Sequence, residues 1–164
     1  MLREMRRRKQ QMTEEESIAV LERGTSGVLA LSGDDGYPYA VPLSYIYHEG
    51  KLYFHCAKQG HKIDALQREP KASFCVIDQD EIHPEKYTTH FRSVIAFGAM
   101  RIMEDPEEKR AAMERLALKY APQDDPVHRQ QAIDREWTPL CVLEMTICHL
   151  TGKQALELAK PAMN

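Results

Sequence analysis

The side chains with the clearest capacity for chemistry lie in one short segment, where a strand pattern ends and a helix pattern begins. His55 and Cys56 close the strand, Gly60 makes a turn, and His61 and Lys62 open the helix. Cations in a first helical turn normally oppose the positive end of the helix dipole, so two of them indicate a bound anion. Free amide groups beside a lysine suit a phosphate. A solvated turn with surface cations is the simpler alternative.

The remaining histidines show no comparable pattern. His83 and His90 bracket a polar loop around Tyr87, and they could in principle share a metal with His55 or Cys56. No ligand spacing supports such a site, so the sequence predicts none. Because the loop precedes a long strand pattern, it is a candidate lid over the site.

Length and composition narrow the class of protein. The 164 residues, 43% hydrophobic and 29% charged, predict a single folded domain over residues 1–164. The net charge of −3 argues against nucleic acid as a partner, because binding a nucleic-acid backbone requires a basic surface. The sequence has no apolar run long enough to span a membrane, so we expect no membrane partner. It shows no signal peptide and no CxxC pair among its four cysteines, and we therefore expect a cytoplasmic location.

The elements that must position these residues follow an antiparallel pattern. A capping box of Thr13 and Glu16 begins a helix over about residues 13–23. Strand patterns joined by short turns follow, which is typical of a meander. Six such strands, over about residues 27–150, favour a small barrel with a loose C-terminal tail. Pro38 and Pro42 predict that the second strand has an exposed edge or a bulge, since proline cannot donate to a ladder.

Two predicted strands are apolar on both of their faces, at residues 72–77 and 94–99. A barrel strand with one face in solvent should be polar on that face. The sequence therefore predicts a cover for the outer face, and a second copy of the chain is the simplest one.

Several segments together resemble one known family. They are Tyr-Ala-Val-Pro-Leu-Ser-Tyr at 39–45, Leu-Tyr-Phe-His-Cys-Ala at 52–57, Gly-His-Lys at 60–62, and Arg-Ser-Val at 92–94 with Gly98. This combination resembles the pyridoxamine 5'-phosphate oxidase-like FMN-binding split barrels. It is most similar to the branch that contains the nitroimidazole-resistance (Nim-type) flavoproteins. Residues 18–24 and 27–31 also look like that branch, and the resemblance covers about residues 3–150.

The resemblance implies a mainly β, α+β fold, a six-stranded antiparallel split β-barrel with flanking helices. It also implies a homodimer that binds FMN at the subunit interface and acts on a small-molecule substrate. By similarity, the residues that contact the cofactor are Val41, Pro42, Leu43, Ser44, His55, Cys56, Ala57, His61, Lys62, Arg92, Ser93 and Trp137.

The resemblance also assigns parts of the cofactor to these residues. Pro42 and Ser44 would lie along the flavin, residues 55–57 would border the ring and ribityl chain, and residues 61–62 would hold the phosphate. Arg92 and Ser93 would come from another strand wall, in the same subunit or the other one. Trp137 would either cover the ring or pack in the core.

The function implied is an FMN-dependent oxidoreductase that reduces nitroaromatic, nitroimidazole-like or other small organic substrates. His61 or His55 would be the catalytic proton donor, since an imidazole titrates near neutrality, at about 6.5. One alternative is a protein that holds flavin or haem for storage, sensing or electron transfer. Another is a pyridoxamine phosphate oxidase-like enzyme, although the chain lacks the arginine-rich positions of those oxidases around the flavin and at its C-terminal end.

Overall fold

The computed structural model describes residues 2–159, and within that range four α-helices and seven β-strands make up the fold. The helices are α1 (Glu14–Arg23), α2 (His61–Arg68), α3 (Pro106–Tyr120) and α4 (Pro126–Glu136). The strands are β1 (Ser26–Ser32), β2 (Pro38–Ser44), β3 (Ile46–His48), β4 (Lys51–Ala57), β5 (Lys71–His83), β6 (Thr88–Ile102) and β7 (Leu140–Gln154). None of the described helices is long and apolar enough to cross a bilayer.

All seven strands form one antiparallel sheet in the order β2-β1-β5-β6-β7-β4-β3. Consecutive strands β2 and β3 lie at its two edges, so no hydrogen-bonded ladder closes the sheet into a complete barrel. The mainly β, α+β split-barrel class predicted from the sequence is confirmed. Pro38 and Pro42 both lie in β2, which is an edge strand, in agreement with the prediction from the lack of a backbone N–H donor in proline.

The strand count is seven because the second predicted strand is interrupted at Tyr45. The Tyr45 amide donates to the hydroxyl of Tyr120 on α3, at 2.9 Å, and so leaves the ladder. The Tyr45 side chain is fully buried, and its hydroxyl donates to the carbonyl oxygen of Leu21 on α1, at 2.7 Å. One residue thus joins both sheet edges to two helices.

The main core lies on one side of the sheet. Tyr45 and Phe54 both meet Phe74 edge to face, with ring centroids 4.9 and 5.0 Å apart. Helix α1 covers this side with Val20 and Leu21, and it begins at the predicted capping box of Thr13 and Glu16. A second, smaller cluster under α3 joins Tyr53, Met103, Ala112, Leu140 and Val142.

The predicted boundaries of the barrel are too short. Strand β7 continues to Gln154, and the amide of Ala155 donates to the carbonyl of Phe91, so the C-terminal tail begins later than predicted. Residues 160–164 of that tail lie outside the described residues. Strand β5 also runs beyond the predicted residues 72–77, as far as His83, and pairs with the start of β6, so only a short turn around Tyr87 remains of the predicted polar loop. We call this paired extension, residues 79–92, the β5–β6 arm.

A buried carboxylate links three strands on the outer side of the sheet. Glu144 on β7 is 4% exposed and accepts from Arg101 at 2.8 and 3.2 Å and from Lys51 at 3.2 Å. Burial opposes ionisation, but the two cations outweigh it and hold the pKa of the Glu144 carboxyl below its ordinary value. Its charge therefore stabilises the fold at neutral pH.

We expect Glu144→Gln to lower the free energy of unfolding at neutral pH by about 1.5–3 kcal/mol, the usual worth of hydrogen bonds to a charged group. Because the folded pKa lies below the unfolded one, this stabilisation is present above the unfolded pKa and is lost as pH falls through the folded pKa. Urea unfolding along a falling pH series should show the two proteins converging.

Glu108→Gln is the matched control, because Glu108 binds the same Arg101, at 2.9 Å, but is half exposed. It should cost less than about 1 kcal/mol. Equal losses for the two variants would contradict the assignment of the buried charge to Glu144.

Candidate functional site

The end of β4 presents its side chains alternately to the two sides of the sheet. Phe54 and Cys56 point toward the core, whereas His55 and Ala57 lie on the other side and are exposed. Cys56 is half buried opposite Cys141 of β7. The three residues predicted to border a ring, residues 55–57, therefore do not share one face, and only His55 and Ala57 reach the outer side.

The start of α2 follows β4 after a short loop and is open to a ligand. Gly60, at the N-cap, has φ of +124°, and no side chain among the described residues caps this helix end. A Cβ at Gly60 would meet nothing within 4 Å, so the space beside it is free. The next amides, of His61 and Lys62, belong to the first turn, which a helix cannot satisfy internally.

His61 is held against the first strands of the sheet. Its ring stacks on Tyr39 of β2 with centroids 4.0 Å apart, and its Nε2 lies 3.6 Å from Oδ2 of Asp34. Asp34 also accepts from Arg68 at the other end of α2, at 2.6 Å. Tyr39 and Asp34 are parts of the site that the sequence reasoning missed. The strand pattern of Tyr39 and the turn pattern of Asp34 carried no signal of contact with α2.

The electrostatics distinguish the two predicted neighbours on β4. Although the His55 side chain is exposed at one edge, the surrounding protein desolvates its imidazole, and this, with a smaller effect from the charge of Lys62, lowers the pKa of His55. Burial, with a smaller contribution from Cys141, raises the pKa of the Cys56 thiol to about 11. His55 therefore carries less imidazolium at neutral pH than a solvated histidine would. Cys56 remains a protonated thiol, which is a poor nucleophile.

Strand β2 supplies the other predicted wall. Val41 and Leu43 pack against the core, while Pro42 and Ser44 are exposed on the opposite side. Side chains of the first pair therefore cannot reach an outer ligand, which leaves only their backbone atoms for the predicted contact. The start of β2 meets α2 through Tyr39.

Arg92 and Ser93 lie far from this convergence within one chain. They stand near the start of β6, whereas the end of β6 is level with His55, roughly 30 Å of strand away. Arg92 donates to Asp78 at 3.1 Å and to Gln154 at 3.2 Å. A single chain therefore does not bring Arg92 and Ser93 to α2.

Trp137 lies before β7 and is half buried in the cluster under α3. The amino group of Lys109 is 4.4 Å from its ring centroid and the guanidinium of Arg110 is 4.8 Å away. The indole thus packs against this cluster within one chain, and its contact with a cofactor stays a prediction.

Away from α3, part of the outer side of the sheet stays exposed to solvent among residues 2–159. One row of residues crosses five strands in register, namely Pro42, Val28, Cys75, Ile95 and Thr151. Val28 is 39% exposed and Ile95 is 37% exposed. The opposite face of the same strands forms the core, so the predicted two-sided apolar character is confirmed for β5 and β6. We call this surface the outer sheet face.

The outer sheet face also includes two residues beyond that row. Ile77, 67% exposed, and Ser93 are paired across β5 and β6. Of the residues predicted to contact a cofactor, Pro42 and Ser93 therefore both stand on the surface that a second subunit would cover.

A family model described as pyridoxamine 5'-phosphate oxidase matches residues 13–154, which is most of the chain and includes every strand. The chain belongs to this family. The match contains the β4–α2 segment, β2 and the outer sheet face. The family suggested by the sequence motifs is thereby confirmed.

Solved structures similar to this family member share its fold. A candidate 5-nitroimidazole antibiotic resistance protein from Bacteroides thetaiotaomicron is 22% identical, with a TM-score of 0.75 over 88% of this chain and 86% of that one. An FAD-binding protein from Mesorhizobium loti is 23% identical, with a TM-score of 0.64 over 88% and 96%. An FAD and haem binding protein from Mycobacterium smegmatis is 20% identical, with a TM-score of 0.74 over 95% and 77%. No curated protein sequence matches this family member significantly.

Proposed function

We propose that the protein is a cytoplasmic homodimer that binds FMN at the subunit interface and works as an oxidoreductase on small organic substrates, nitroaromatic compounds among them. The observation that carries the proposal is the convergence of β2, the end of β4 and the open start of α2. The start of α2 offers phosphate-binding groups and an imidazole stacked on Tyr39, and the neighbouring strands expose Pro42 and Ser44 on β2 and His55 and Ala57 on β4. The relatives that bind flavin, and the one linked by its description to nitroimidazole resistance, support the cofactor and the substrate class.

The start of α2 fits the phosphate of FMN. The amides of His61 and Lys62 lie at the N-terminal, positive end of the helix dipole, and the ammonium group of Lys62 adds a full positive charge. The open space beside Gly60 leaves room for the phosphate oxygens. Pro42 and Ser44 on β2, with His55 and Ala57 on β4, would line the flat part of the cofactor.

Arg92 and Ser93 enter the proposal through the second subunit. They stand at the opposite end of β6 from α2 of their own chain. In the proposed dimer, the outer sheet faces of two chains pack together about a two-fold axis, so the strands of one chain run opposite to those of the other. The start of β6 in one chain would then lie toward the site of the other chain. Asp78 and Gln154 would then hold the Arg92 guanidinium in a fixed position.

Replacing Ile77 by Glu should prevent dimer formation, because a buried unpaired carboxylate is costly. We expect the unchanged protein to sediment at twice 18.9 kDa and the variant to sediment as a monomer without bound flavin. Val127→Glu is the control, since Val127 is 64% exposed on α4, away from the outer sheet face. A monomeric unchanged protein at micromolar concentration would overturn the proposed dimer.

Bound FMN would supply the electrons for reduction, and the chain's own residues supply orientation and a proton. Tyr39 fixes the plane of the His61 ring by stacking, and Asp34 faces its Nε2. His61 can therefore present a proton from a defined direction to a substrate beside the flavin. We assign the catalytic proton to His61 before His55, because stacking on Tyr39 and the neighbouring carboxylate of Asp34 orient the His61 ring.

Lys62→Ala should weaken FMN binding by removing one charge-assisted hydrogen bond to the phosphate. Such a bond is worth about 1.5–3 kcal/mol, which is about ten- to a hundredfold in Kd. Riboflavin, which has no phosphate, should lose much less affinity. Fluorescence titration of both ligands measures the difference, and Lys58→Ala controls for the loss of a nearby charge. Equal weakening of both ligands would show that Lys62 does not bind the phosphate.

His61→Ala separates cofactor binding from proton donation. We expect the variant to retain FMN while turnover of a nitroaromatic acceptor falls by about 10²–10⁴-fold, as for a lost general acid. Tyr39→Phe, which keeps the stacked ring, is the matched control and should stay near the unchanged rate. Wild-type turnover in His61→Ala would remove His61 from the mechanism.

A second candidate function is a protein that holds flavin or haem without a dedicated substrate. The relative from Mycobacterium smegmatis, described as binding FAD and haem, favours it. An absorption spectrum of the purified protein distinguishes a flavin from the Soret band of haem. Turnover of a nitroaromatic acceptor, or of pyridoxamine 5'-phosphate, then separates an enzyme from a carrier and one substrate class from the other.

A further inference from the structure

The β5–β6 arm gathers three metal-binding side chains on one of its faces. Glu81 and His90 are directly paired across the two strands, and His83 lies two residues beyond Glu81 on the same side. Alternate residues of a strand share a face, and cross-strand neighbours bring their Cβ atoms close together. The register therefore brings together two imidazoles and a carboxylate that the chain separates by a turn.

The ligand atoms of the three side chains lie close together. One potential ligand atom from each of Glu81, His83 and His90 lies within 4.8 Å of the others. The two imidazole rings stack with centroids 3.7 Å apart. Ligands of a tetrahedral zinc ion, at about 2.1 Å, stand about 3.4 Å from one another, so the three ligand atoms bind one ion after closing by up to about 1.4 Å and turning the two rings toward a common point.

The two imidazoles have unused nitrogen atoms. Nε2 of His83 and Nε2 of His90 are buried, and neither has a hydrogen-bond partner within residues 2–159. Oε1 of Glu81 lies 3.3 Å from Nε2 of His83, without the geometry of a hydrogen bond. Buried polar atoms without partners are costly in a folded protein, and a cation between them would remove that cost.

A fourth residue orients the first imidazole. Nδ1 of His83 lies 3.3 Å from Oε1 of Glu85, in hydrogen-bond contact. A metal-binding histidine usually donates its second ring nitrogen to a carboxylate in this way, which fixes the tautomer and leaves the other nitrogen free for the metal. Glu85 therefore prepares Nε2 of His83 as a ligand atom.

We propose that Glu81, His83 and His90 bind one divalent cation of the zinc class. Two imidazole nitrogens with one carboxylate oxygen are a ligand set that zinc accepts, and they leave a fourth position for water or another ligand. The site stands on the β5–β6 arm, at the opposite end of β6 from α2. It is therefore separate, within one chain, from the flavin site proposed above, and it does not depend on that proposal.

The test is a titration of the full-length protein, freed of metal with a chelator, with Zn²⁺ in competition with a chromogenic chelator. We expect one Zn²⁺ bound per chain. His83→Gln and His90→Gln should each weaken binding more than about 100-fold, since even loss of an outer-shell partner costs about 10–100-fold. His128→Gln is the matched control, because His128 also lies beside a carboxylate, 2.8 Å from Asp124, but without a second histidine. It should leave the affinity unchanged.

A second measurement needs no variant and guards against misfolding of the histidine variants. Addition of Zn²⁺ to the unchanged protein should shift the imidazole NMR signals of His83 and His90 and leave those of His61 and His128 in place. Three results would each overturn the proposal: no binding of Zn²⁺, an affinity in His83→Gln and His90→Gln equal to that of the unchanged protein, or NMR shifts confined to other histidines. The flavin content of each variant is measured as well and should equal that of the unchanged protein. Failure of the metal site can therefore be distinguished from failure of the flavin site.

Discussion

The architecture depends on burying apolar surface on both sides of β5 and β6. Phe74, Val76, Val94 and Ala96 fill the core on one side, where α1 covers them. The other side places Val28, Cys75 and Ile95 in a row, where Val28 and Ile95 are more than a third exposed within the described part of the chain. Each square ångström of apolar area left in water costs about 25 cal/mol, so the uncovered side favours association. The proposed location of the cofactor, between two copies, follows from this same surface.

The site depends on the strand break at Tyr45 for its shape. Because this residue leaves the ladder, β2 and β3 part to opposite edges of the sheet. The split lets the start of α2 meet Tyr39 on β2 directly after β4 ends. Packing by α1 and α3 thus holds the break between β2 and β3, and the start of the same β2 strand contacts α2.

Local patterns predicted much of this fold, and contacts distant in sequence account for the rest. The capping box at Thr13, the proline-bearing edge strand and the glycine turn before His61 are local signals, and each lies where the sequence indicated. The break at Tyr45 is made by helices distant in sequence, so strand periodicity could not reveal it. Spacing along the chain likewise gave no sign that His83 and His90 stack, because the register of two strands decides that contact.

The protonated thiol of Cys56 has a consequence for the chemical durability of the protein. Peroxide oxidises thiolates far more readily than thiols, and a cysteine ionised at neutral pH would pass to sulfenic and then irreversible sulfinic acid. Burial opposite Cys141 raises the pKa of Cys56 to about 11, well above the pH of a cell. The Cys56 thiol should therefore resist oxidation better than an ionised cysteine would, on the strand that the proposed function places beside the flavin.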